Sequence, residues 1–386
     1  MVIEILLLLP SALLTWMYVG YPLTLWLLSR ISRDQTLRSP IEPNVSVVIC
    51  THNEAAVIDR RIKNVLEQDY PRQKLEIVVV DSSTDPTADL IQKHWKKDVT
   101  LLKQEVRRGK ANAINLALEK ASGEVILLSD APTLYDKDAI KNIVRNFADS
   151  RVGGATGKYK PIGEEKRVEH EESLFWRFKN ALRSLEGTVD STTFFSGDLC
   201  AFRKALITEI DNDTLADDVN IAIRIRRKGY KAIYDPSAKV FELATSSYKD
   251  LFTAKVRRAI GGIQETLRFK NMIFNPRFGV YGMLILPTRF MYTILNPFII
   301  LAFSATLAYL AFHLFPFLSL LLLLCVFAAI LLFWRSTAVK ALTMFWVTQI
   351  IQLQALVKYL FGKPSVEWTQ IDSTRKNAKI AGSAAM

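Results

Sequence analysis

Acidic side chains follow several short apolar segments of this sequence, and one acidic pair precedes an amphipathic segment. Glu54, Asp81 and Asp130 stand just beyond apolar segments, and Asp217 and Asp218 form the pair. A carboxylate that is partly removed from water beside a second acid has a raised pKa, which suits it to accept a proton. Carboxylates also bind Mg²⁺ and Mn²⁺ together with substrate phosphates. These residues are therefore candidates for proton transfer and for metal-assisted phosphate chemistry.

Lys110 is the basic residue whose position most needs an explanation. It opens the predicted helix 110–120, where the positive end of the helix dipole disfavours a cation. A phosphate or nucleotide bound at this helix start explains the position better than helix stability does. The helix therefore carries a candidate phosphate-binding lysine.

Motifs of several other enzyme classes are missing from the sequence. No GxGxxG or GxxxxGK[ST] pattern follows a predicted strand, which disfavours dinucleotide oxidoreductases and P-loop enzymes. Cys50, Cys200 and Cys325 lie far apart, and only four histidines occur, which argues against disulfide frameworks and structural zinc sites. The net charge of +12 indicates acidic partners, but the acidic loops and an apolar N-terminal segment argue against nucleic acid.

The candidate residues belong to a repeated order of strand, loop and helix. Four short apolar segments rich in β-branched residues are typical of buried parallel strands, and these are 45–50, 75–80, 99–102 and 124–128. Helices are predicted in the intervals, at 57–68, 86–95 and 110–120. Asp85 is placed to cap the second of these helices. Ligands bind at the carboxyl ends of the strands in such sheets, which is where the acidic loops lie.

Apolar residues are concentrated at the two ends of the chain. Between residues 2 and 28 the only charged residue is Glu4, and about 20 apolar residues in a helix can cross a bilayer. The segment lacks the basic start and the cleavage site of a signal peptide, so a retained anchor is predicted. Arg30, Arg33 and Arg38 follow it, and the positive-inside rule then places the rest of the chain in the cytoplasm.

The C-terminal part contains further apolar segments. Residues 289–312 and 317–334 predict a hairpin of two spans, and residues 274–287 predict a segment at the membrane interface. Residues 341–361 predict either a third span or a second interfacial helix. Four polar residues in this last segment are costly in lipid unless they face protein, namely Gln349, Gln352, Gln354 and Lys358. The number of spans and the side of the C-terminus therefore stay open.

Five segments, taken in order, resemble the successive motifs of family 2 glycosyltransferases with the GT-A fold. They read VSVVICTHNE (45–54), VVVDSSTDPT (78–87), GKANAIN (109–115), SGDLCAFR (196–203) and DDVNIAIRIRRKG (217–229). The layout is similar to that of membrane-integrated members such as cellulose, chitin and hyaluronan synthases and their non-processive relatives. The resemblance implies an α/β fold, in which a Rossmann-like nucleotide-diphospho-sugar transferase domain is flanked by transmembrane helices.

The resemblance also implies a binding site for the donor. Seven residues are implied at the nucleotide and diphosphate, namely Thr51, Asn53, Glu54, Asp81, Lys110, Asp130 and Arg258. Other interpretations stand beside this one. Glu54 suits a helix start, Asp81 suits a turn, and Arg258 suits a basic segment at the membrane surface.

Asp130 matches the first aspartate of the family's Asp-any-Asp motif, which binds a metal ion and the diphosphate. Pro132 stands where the family has the second aspartate. Mg²⁺ is often held by one or two carboxylates and the substrate phosphates, so Asp130 can suffice. Mg²⁺ or Mn²⁺ is therefore the expected cofactor, with Asp130 as the metal ligand.

Asp218 aligns with the family's general base, and Asp217 is grouped with it as catalytic. The alternative is that both acids merely cap the helix that follows. On the acceptor side, the candidates are Gly197 and Asp198 of the SGDLCAFR segment and, from its amphipathic surroundings, Trp176. Trp176 belongs to a basic and aromatic amphipathic segment whose role is either core packing or contact with a lipid phosphate.

Residues 255–262 resemble the Gln/Arg-any-any-Arg-Trp motif of the polymerising members. Arg258 matches the arginine, which stabilises a departing diphosphate. Lys255 replaces the first residue of the motif, and Ala259 replaces the tryptophan on which an acceptor sugar stacks. A single transfer is therefore favoured over processive synthesis.

The sequence predicts a catalytic domain held between membrane segments. The predicted divisions are an N-terminal transmembrane helix (1–29), a linker (30–44), a nucleotide-sugar-binding half (45–150), an acceptor and catalytic half (151–270), an interfacial segment (271–288), a transmembrane hairpin (289–334), a third span or interfacial helix (339–361) and a tail (362–386). The predicted function is inverting transfer of a sugar from a nucleotide-diphosphate sugar to a membrane-associated acceptor, such as a polyprenyl phosphate or a lipid-linked glycan. The alternatives are a processive polysaccharide synthase and a non-catalytic membrane scaffold that binds nucleotide sugars.

Overall fold

The computed structural model describes residues 2–32, 36–162, 166–243, 248–317 and 336–362. The predicted second arm of the hairpin, from residue 318 onwards, and the basic tail after residue 362 lie outside the described part of the chain. The side chains of residues 161–176 lie outside it as well.

Four parallel strands form the first half of the domain, and all four were predicted from the sequence. They are β1 (Val45–Thr51), β2 (Leu75–Asp81), β3 (Val99–Lys103) and β4 (Val125–Ser129). Val45 of β1 lies opposite Leu75 of β2 and opposite Val125 of β4. Because the neighbouring strands run in parallel register, their carboxyl ends and the loops that follow lie at one edge of the sheet.

Four more strands complete a mixed sheet. They are β5 (Leu134–Tyr135), β6 (Val152–Ile162), β7 (Cys200–Arg203) and β8 (Lys231–Leu243). The order across the eight-stranded sheet is β3-β2-β1-β4-β7-β6-β8-β5. Strand β7 is antiparallel to β4, so the loop before β7 arrives at the edge where β4 ends.

The described part of the chain contains twelve α-helices. They are α1 (Val2–Thr15), α2 (Tyr21–Ile31), α3 (Ile58–Leu66), α4 (Thr87–Trp95), α5 (Lys110–Lys120), α6 (Ala139–Val144), α7 (Lys166–Val189), α8 (Asp217–Arg227), α9 (Tyr248–Arg268), α10 (Leu286–Phe290), α11 (Asn296–Leu314) and α12 (Thr337–Phe361). The predicted helices 57–68, 86–95 and 110–120 are confirmed as α3, α4 and α5, the first of them shorter at both ends.

Helices cover both faces of the parallel strands, which explains their continuous apolar sequences. Val47 and Ile49 pack into the core that β1 shares with α3, α4 and α6. Val48, which lies between them, packs into a second core with α5 and α8. Successive side chains of a strand point to opposite faces, so both faces must be apolar. At the start of β4, a Cβ on Gly123 would lie 2.5 Å from the backbone nitrogen of Ser46, so only glycine fits there.

Two helices of the described residues are long and apolar enough to cross a membrane. They are Leu7–Ile31 and Tyr281–Leu314. A π-helical turn, Trp16–Gly20, joins α1 to α2 in the first. The second helix begins eight residues before the predicted span 289–312, so residues 281–288 of the predicted interfacial segment are helical. Pro287 lies inside this continuous helix, two residues after the π-helical turn Tyr281–Ile285, and it has no backbone N–H to donate there.

Helix α12 packs against α9 and against the second candidate span. Two of its glutamines, Gln349 and Gln352, face protein. Gln349 is 4% exposed and accepts a hydrogen bond of 3.0 Å from Asn296 Nδ2. Gln352 donates a hydrogen bond of 3.1 Å to the backbone oxygen of Tyr292. Gln349 and Gln352, two of the four polar residues that made a lipid environment costly, are thus paired with α11 and with the π-helical segment before it.

Both candidate spans meet the catalytic half of the domain at α8. Tyr21 and Leu25 of the first span and Ile285 of the second belong to one buried cluster with Val219 and Ile223 of α8. Helix α8 therefore has one face on the sheet and another on the spans. The residues at its N-terminus consequently lie close to both the sheet edge and the candidate spans.

Candidate active site

The first two loops of the site are tied together where β1 and β2 end side by side. Thr51 lies opposite Asp81, and its Oγ1 donates a hydrogen bond of 2.6 Å to Asp81 Oδ1. Asp81 also accepts bonds from the backbone nitrogen and the hydroxyl group of Ser83. Thr51 and Asp81 are both nearly buried, at 3% and 4% exposure. Their side chains shape this corner of the cleft.

Asn53 and Glu54 behave differently although they are neighbours. Asn53 adopts a left-handed conformation with φ of 57°, and its Oδ1 accepts hydrogen bonds from the backbone nitrogens of Thr84 and Asp85. Glu54 is 1% exposed, and its place at the nucleotide stays a prediction. Asp85 accepts a hydrogen bond of 3.0 Å from the backbone nitrogen of Thr87, which confirms the capping prediction.

Lys110 joins two distant parts of the sequence. Gly109, with φ of 87°, leads into α5, and Lys110 is the first residue of that helix. Its Nζ lies 2.9 Å from Asp130 Oδ1 and 3.0 Å from Asp217 Oδ2. Burial opposes the charge of Lys110, but the carboxylates of Asp130 and Asp217 outweigh it and raise its pKa well above the usual value. The lysine is therefore a fixed cation between two carboxylates.

The loop that carries Asp130 is stabilised by hydrogen bonds. Ser129 Oγ and Thr133 Oγ1 lie 3.0 Å apart, and Thr133 Oγ1 donates to the backbone oxygen of Asp130. Arg61, which is fully buried, donates a hydrogen bond of 2.7 Å to Ser129 Oγ and stacks on Tyr135. Sequence reasoning missed Arg61; an arginine within the apolar stripe of α3 was the available signal.

Gly197 and Asp198 cover the other side of Asp130. A Cβ on Gly197 would lie 3.6 Å from Asp130 Oδ2 and 3.5 Å from Lys110 Nζ, so the loop passes directly beside these groups. Asp198 accepts a hydrogen bond of 2.8 Å from Ser196 Oγ. Burial and the nearby carboxylate of Asp130 raise the pKa of Asp198. The loop before β7 thus brings a second carboxylate towards Asp130.

The acidic pair occupies the first turn of α8. Asp217 points to Lys110, whereas Asp218 Oδ1 accepts a hydrogen bond of 2.8 Å from the backbone nitrogen of Val219. Burial and the adjacent Asp217 carboxylate raise the pKa of Asp218 to about 6. A carboxylate with this pKa is ionised at neutral pH and is a stronger proton acceptor than an exposed aspartate.

Arg258 lies on α9 with its side chain exposed. Against desolvation, the carboxylates of Glu242 and Asp198 raise the pKa of Arg258. Arg257 precedes it and is partly buried. The side chain of Trp176 lies outside the described residues.

Three further cations that the motifs did not single out lie beside Thr193 and Phe194. Lys179 and Arg183 of α7 stack on Phe194, and Arg289 donates hydrogen bonds to Thr193. The amphipathic pattern of α7 had pointed to this helix but not to the direction of these side chains. Among the described residues, no group of three or more His, Cys, Asp or Glu is arranged to hold a metal ion.

The sheet order, the cleft at its carboxyl edge and the loop that brings Asp130 to Lys110 define a GT-A domain. Residues 46–211 match the family model described as glycosyl transferase family 2. Residues 46–211 therefore carry a domain similar to the family 2 glycosyltransferases.

Relatives and solved structures agree with this assignment. Poly-beta-1,6-N-acetyl-D-glucosamine synthase of Staphylococcus aureus (strain COL) is 29% identical over 249 residues, which is 61% of this chain and 59% of the relative. The synthase of the same description from Staphylococcus epidermidis is 28% identical over 58% of this chain and 56% of the relative. The chain thus spans less than two thirds of these relatives.

A solved structure covers more of the chain. The mannosyltransferase PcManGT from Pyrobaculum calidifontis, described in complex with GDP-Man and Mn²⁺, is 29% identical with a TM-score of 0.73. The match covers 92% of this chain and 99% of that chain, so the similarity includes regions beyond residues 46–211.

Proposed function

We propose that this chain is an inverting glycosyltransferase that moves a sugar from a nucleotide-diphosphate sugar to a hydroxyl group of a membrane-associated acceptor. The observation that carries the proposal is the position of Asp218. It is a carboxylate with a pKa of about 6 that adjoins Asp217, which is bridged to Asp130 through Lys110. A proton acceptor thus stands beside a cationic group at the edge where parallel sheets bind ligands.

In the proposed reaction, the acceptor oxygen attacks the anomeric carbon of the donor sugar. The bond between that carbon and the diphosphate oxygen breaks, and the nucleoside diphosphate leaves with the bonding electrons. Asp218 takes the proton of the acceptor hydroxyl as the new glycosidic bond forms. Attack opposite to the leaving group inverts the configuration at the anomeric carbon.

The donor is held by the loops of the parallel half. Lys110 and Arg258 neutralise the charge that develops on the leaving diphosphate. Thr51, Asn53 and Asp81 hold the nucleotide end. Glu54 supports the same loop from its buried position.

A divalent cation fits the donor set around Asp130, although Pro132 replaces the usual second aspartate. Asp130 already holds the ammonium group of Lys110 at 2.9 Å, and Asp198 brings a further carboxylate from the loop before β7. Oxygen ligands of this kind, completed by substrate phosphates, suit Mg²⁺ and Mn²⁺. When bound, the cation would supply additional charge neutralisation on the diphosphate. The similar mannosyltransferase is described with Mn²⁺, which supports the proposal.

The acceptor is proposed to be lipid-linked, and the protein is proposed to be an integral membrane protein with its domain in the cytoplasm. Two candidate spans pack on α8, the helix that begins with the proposed base. An acceptor that lies in the membrane would therefore approach Asp218 from the side of the spans.

Polymer synthesis is a second candidate, favoured by the similarity to poly-beta-1,6-N-acetyl-D-glucosamine synthases. One observation favours single transfer instead. Ala259 packs in the cluster that α9 forms with α12, and it provides no aromatic surface for an acceptor sugar. Product length on a gel separates the two candidates.

The test uses purified full-length protein in lipid, a panel of radiolabelled nucleotide sugars, and Mg²⁺ or Mn²⁺. Asp218→Asn is expected to lower turnover by about 1000-fold, because the proton acceptor is lost. Nucleotide binding, measured by calorimetry, is expected to stay within about twofold of the wild type. Asp98→Asn is the matched control, since Asp98 pairs with Arg72 at a distance from the cleft.

Two outcomes would overturn the proposal. If Asp218→Asn turns over at the wild-type rate, Asp218 is not the base. If the wild type binds a nucleotide sugar but labels neither lipid nor polymer with any donor, the protein is a binding scaffold. Loss of activity with a chelator tests the metal.

A further inference from the structure

Helix α3 contacts the loop that carries Asp130 through an arginine buried in its apolar face. Arg61 is 0% exposed and lies next to the core residue Ile62. Its Nη2 donates a hydrogen bond of 2.7 Å to Ser129 Oγ, and its Cζ lies 3.9 Å from the ring centroid of Tyr135. These contacts reach residues on either side of Asp130. The arginine therefore holds the loop against the helix.

Asn64, one turn further along α3, holds the far end of the same loop. Its Nδ2 donates a hydrogen bond of 3.0 Å to the backbone oxygen of Tyr135, and its Oδ1 accepts one of 2.8 Å from the backbone nitrogen of Tyr135. Arg61 Nη1 also donates to Asn64 Oδ1, at 2.8 Å. Residues three apart on a helix lie on one face, so the two side chains act on the loop together.

Ser129 connects Arg61 to two loops of the cleft. Its Oγ lies 3.2 Å from the backbone oxygen of Asp130 and 3.4 Å from the backbone oxygen of Asp198. It also lies 3.0 Å from Thr133 Oγ1. An arginine can only donate, so the Ser129 hydroxyl accepts from Arg61 and keeps its own hydrogen for one of these oxygens. A shift of Ser129 would therefore disturb the backbone at both aspartates.

The charge of Arg61 also suits this place. An arginine remains protonated in proteins, and burial of a charge is costly unless other groups compensate it. Burial lowers the pKa of Arg61, whereas Tyr135 and the carboxylates of Asp130 and Asp198 oppose that effect. The two carboxylates therefore supply opposite charge to the buried arginine, and Arg61 in turn offsets their mutual repulsion.

We propose that Arg61 is a positioning residue for a divalent cation bound with the donor diphosphate. It sets the spacing between Asp130 and Asp198, which come from different loops and offer the oxygen ligands that such a cation uses. Pro132 leaves the Asp130 loop with one carboxylate fewer than the family motif, so the placement of Asp198 matters more. The inference rests on the proposed function and adds to it a buried residue that touches neither cation nor donor.

Nucleotide binding in the presence and absence of the cation tests this role. The full chain in detergent is titrated with UDP and with GDP by calorimetry, once in Mn²⁺ and once in EDTA, and the tighter ligand is used. Arg61→Met is expected to weaken binding in Mn²⁺ about tenfold, because the ligands of the cation lose their support. Binding in EDTA is expected to stay within about twofold of the wild type. A general loss of structure would weaken both.

Ser129→Ala removes the acceptor through which Arg61 acts, and it disturbs the fold less than a change at a buried charge does. It is expected to weaken binding in Mn²⁺ about fivefold and to leave binding in EDTA unchanged. The double variant of Arg61→Met with Ser129→Ala is expected to bind no more weakly than Arg61→Met alone, since both changes break one connection. Fully additive losses would contradict action through Ser129.

Arg203 offers a matched control at the opposite end of the sheet. It lies opposite Val125 where β4 begins, donates a hydrogen bond of 2.9 Å to the backbone oxygen of Val152, and has its Cζ 5.4 Å from the ring centroid of Phe147. Arg203→Met is expected to lower the thermal midpoint without changing the ratio of the two nucleotide affinities. If Arg203→Met and Arg61→Met lose that ratio equally, the effect is one of stability and the inference is wrong.

Electron paramagnetic resonance gives a readout of the cation itself. The signal of free Mn²⁺ shows how much remains unbound when saturating nucleotide is present. Arg61→Met is expected to leave more free Mn²⁺ than the wild type, in keeping with about tenfold weaker binding. Equal Mn²⁺ binding by the two proteins overturns the inference. Wild-type nucleotide affinity that is the same in Mn²⁺ and in EDTA overturns it as well.

Failure of the proposed function has a different signature. In that case the wild type transfers no sugar to any acceptor, while the Mn²⁺-dependent difference between Arg61→Met and the wild type persists. Conversely, sugar transfer that Asp218→Asn abolishes, together with equal Mn²⁺ binding by the wild type and Arg61→Met, would keep the proposed function and remove Arg61 from it.

Discussion

Lys110 at the sheet edge and the cations near α7 lie in different surroundings. Lys110 lies within 3.0 Å of two carboxylates, so its charge is compensated by the protein itself. Lys179 and Arg183 lie on the ring of Phe194, and Arg289 donates hydrogen bonds to Thr193, the residue before it. Ion pairs thus hold Lys110 in one place before a ligand arrives. Cation–π contacts position Lys179 and Arg183 against an aromatic ring instead.

Replacement of Lys110 tests the cation at the sheet edge, and it carries the largest expected effect. Lys110→Met removes the cation between Asp130 and Asp217 and leaves carboxylates facing each other and the diphosphate. We expect kcat/KM to fall by about 100-fold or more, with Lys110→Arg partly restoring it. Initial rates and nucleotide calorimetry measure the effect. Rates within threefold of the wild type would show that the reaction does not need the charge of Lys110.

The pH dependence of the rate tests whether the neighbouring carboxylate of Asp217 raises the pKa of Asp218. Its pKa is raised to about 6, so the base is ionised above that pH and protonated below it. We expect kcat/KM to be constant near neutrality and to fall about tenfold per unit below pH 6. In Asp217→Asn the neighbouring negative charge is gone, so the midpoint is expected to move to lower pH. A midpoint that stays at the wild-type value would contradict the coupling.

The smallest expected effect concerns the contact between α11 and α12. Asn296 and Gln349 are joined by a hydrogen bond of 3.0 Å between α11 and α12. A double-mutant cycle with Asn296→Ala and Gln349→Ala is expected to show a coupling of about 0.6 kcal/mol in the free energy of unfolding in detergent. Sugar transfer is expected to change little, because the pair touches no charged group of the cleft. A coupling energy above about 2 kcal/mol would contradict this expectation and make the pair a major contributor to stability.

The four parallel strands, the loops after them and the acidic pair were predictable from the sequence, whereas β5 to β8 were not predicted. Apolar runs such as 45–50 are decided by local chemistry, because a strand covered on both faces must be apolar throughout. Parallel strands place their carboxyl ends together, so the loops with Asp81 and Asp130 had to lie at one edge. The raised pKa of Asp218 also followed from its neighbour Asp217 and from partial burial.

Several features of the site were not predictable in this way. Glu54 follows a strand as Asn53 does, yet packing of the loop buries it. Arg61 supports the Asp130 loop from within an apolar helix face, where the sequence pattern indicates only core. Arg289 of the second candidate span meets Thr193, beside the ring on which Lys179 and Arg183 of α7 lie, and no local pattern records which residues of two distant helices meet.

The sequence by itself determined the order of strands and helices, the two candidate spans that were described, and the residue types available at the sheet edge. These depend on periodicity, hydropathy and turn chemistry, which act over a few neighbouring residues. Only the tertiary structure decided that Lys110 bridges Asp130 and Asp217 and that Arg61 supports the loop of Asp130 through Ser129. Charge pairing depends on distances of a few ångströms between elements far apart in the chain, and packing alone sets those distances.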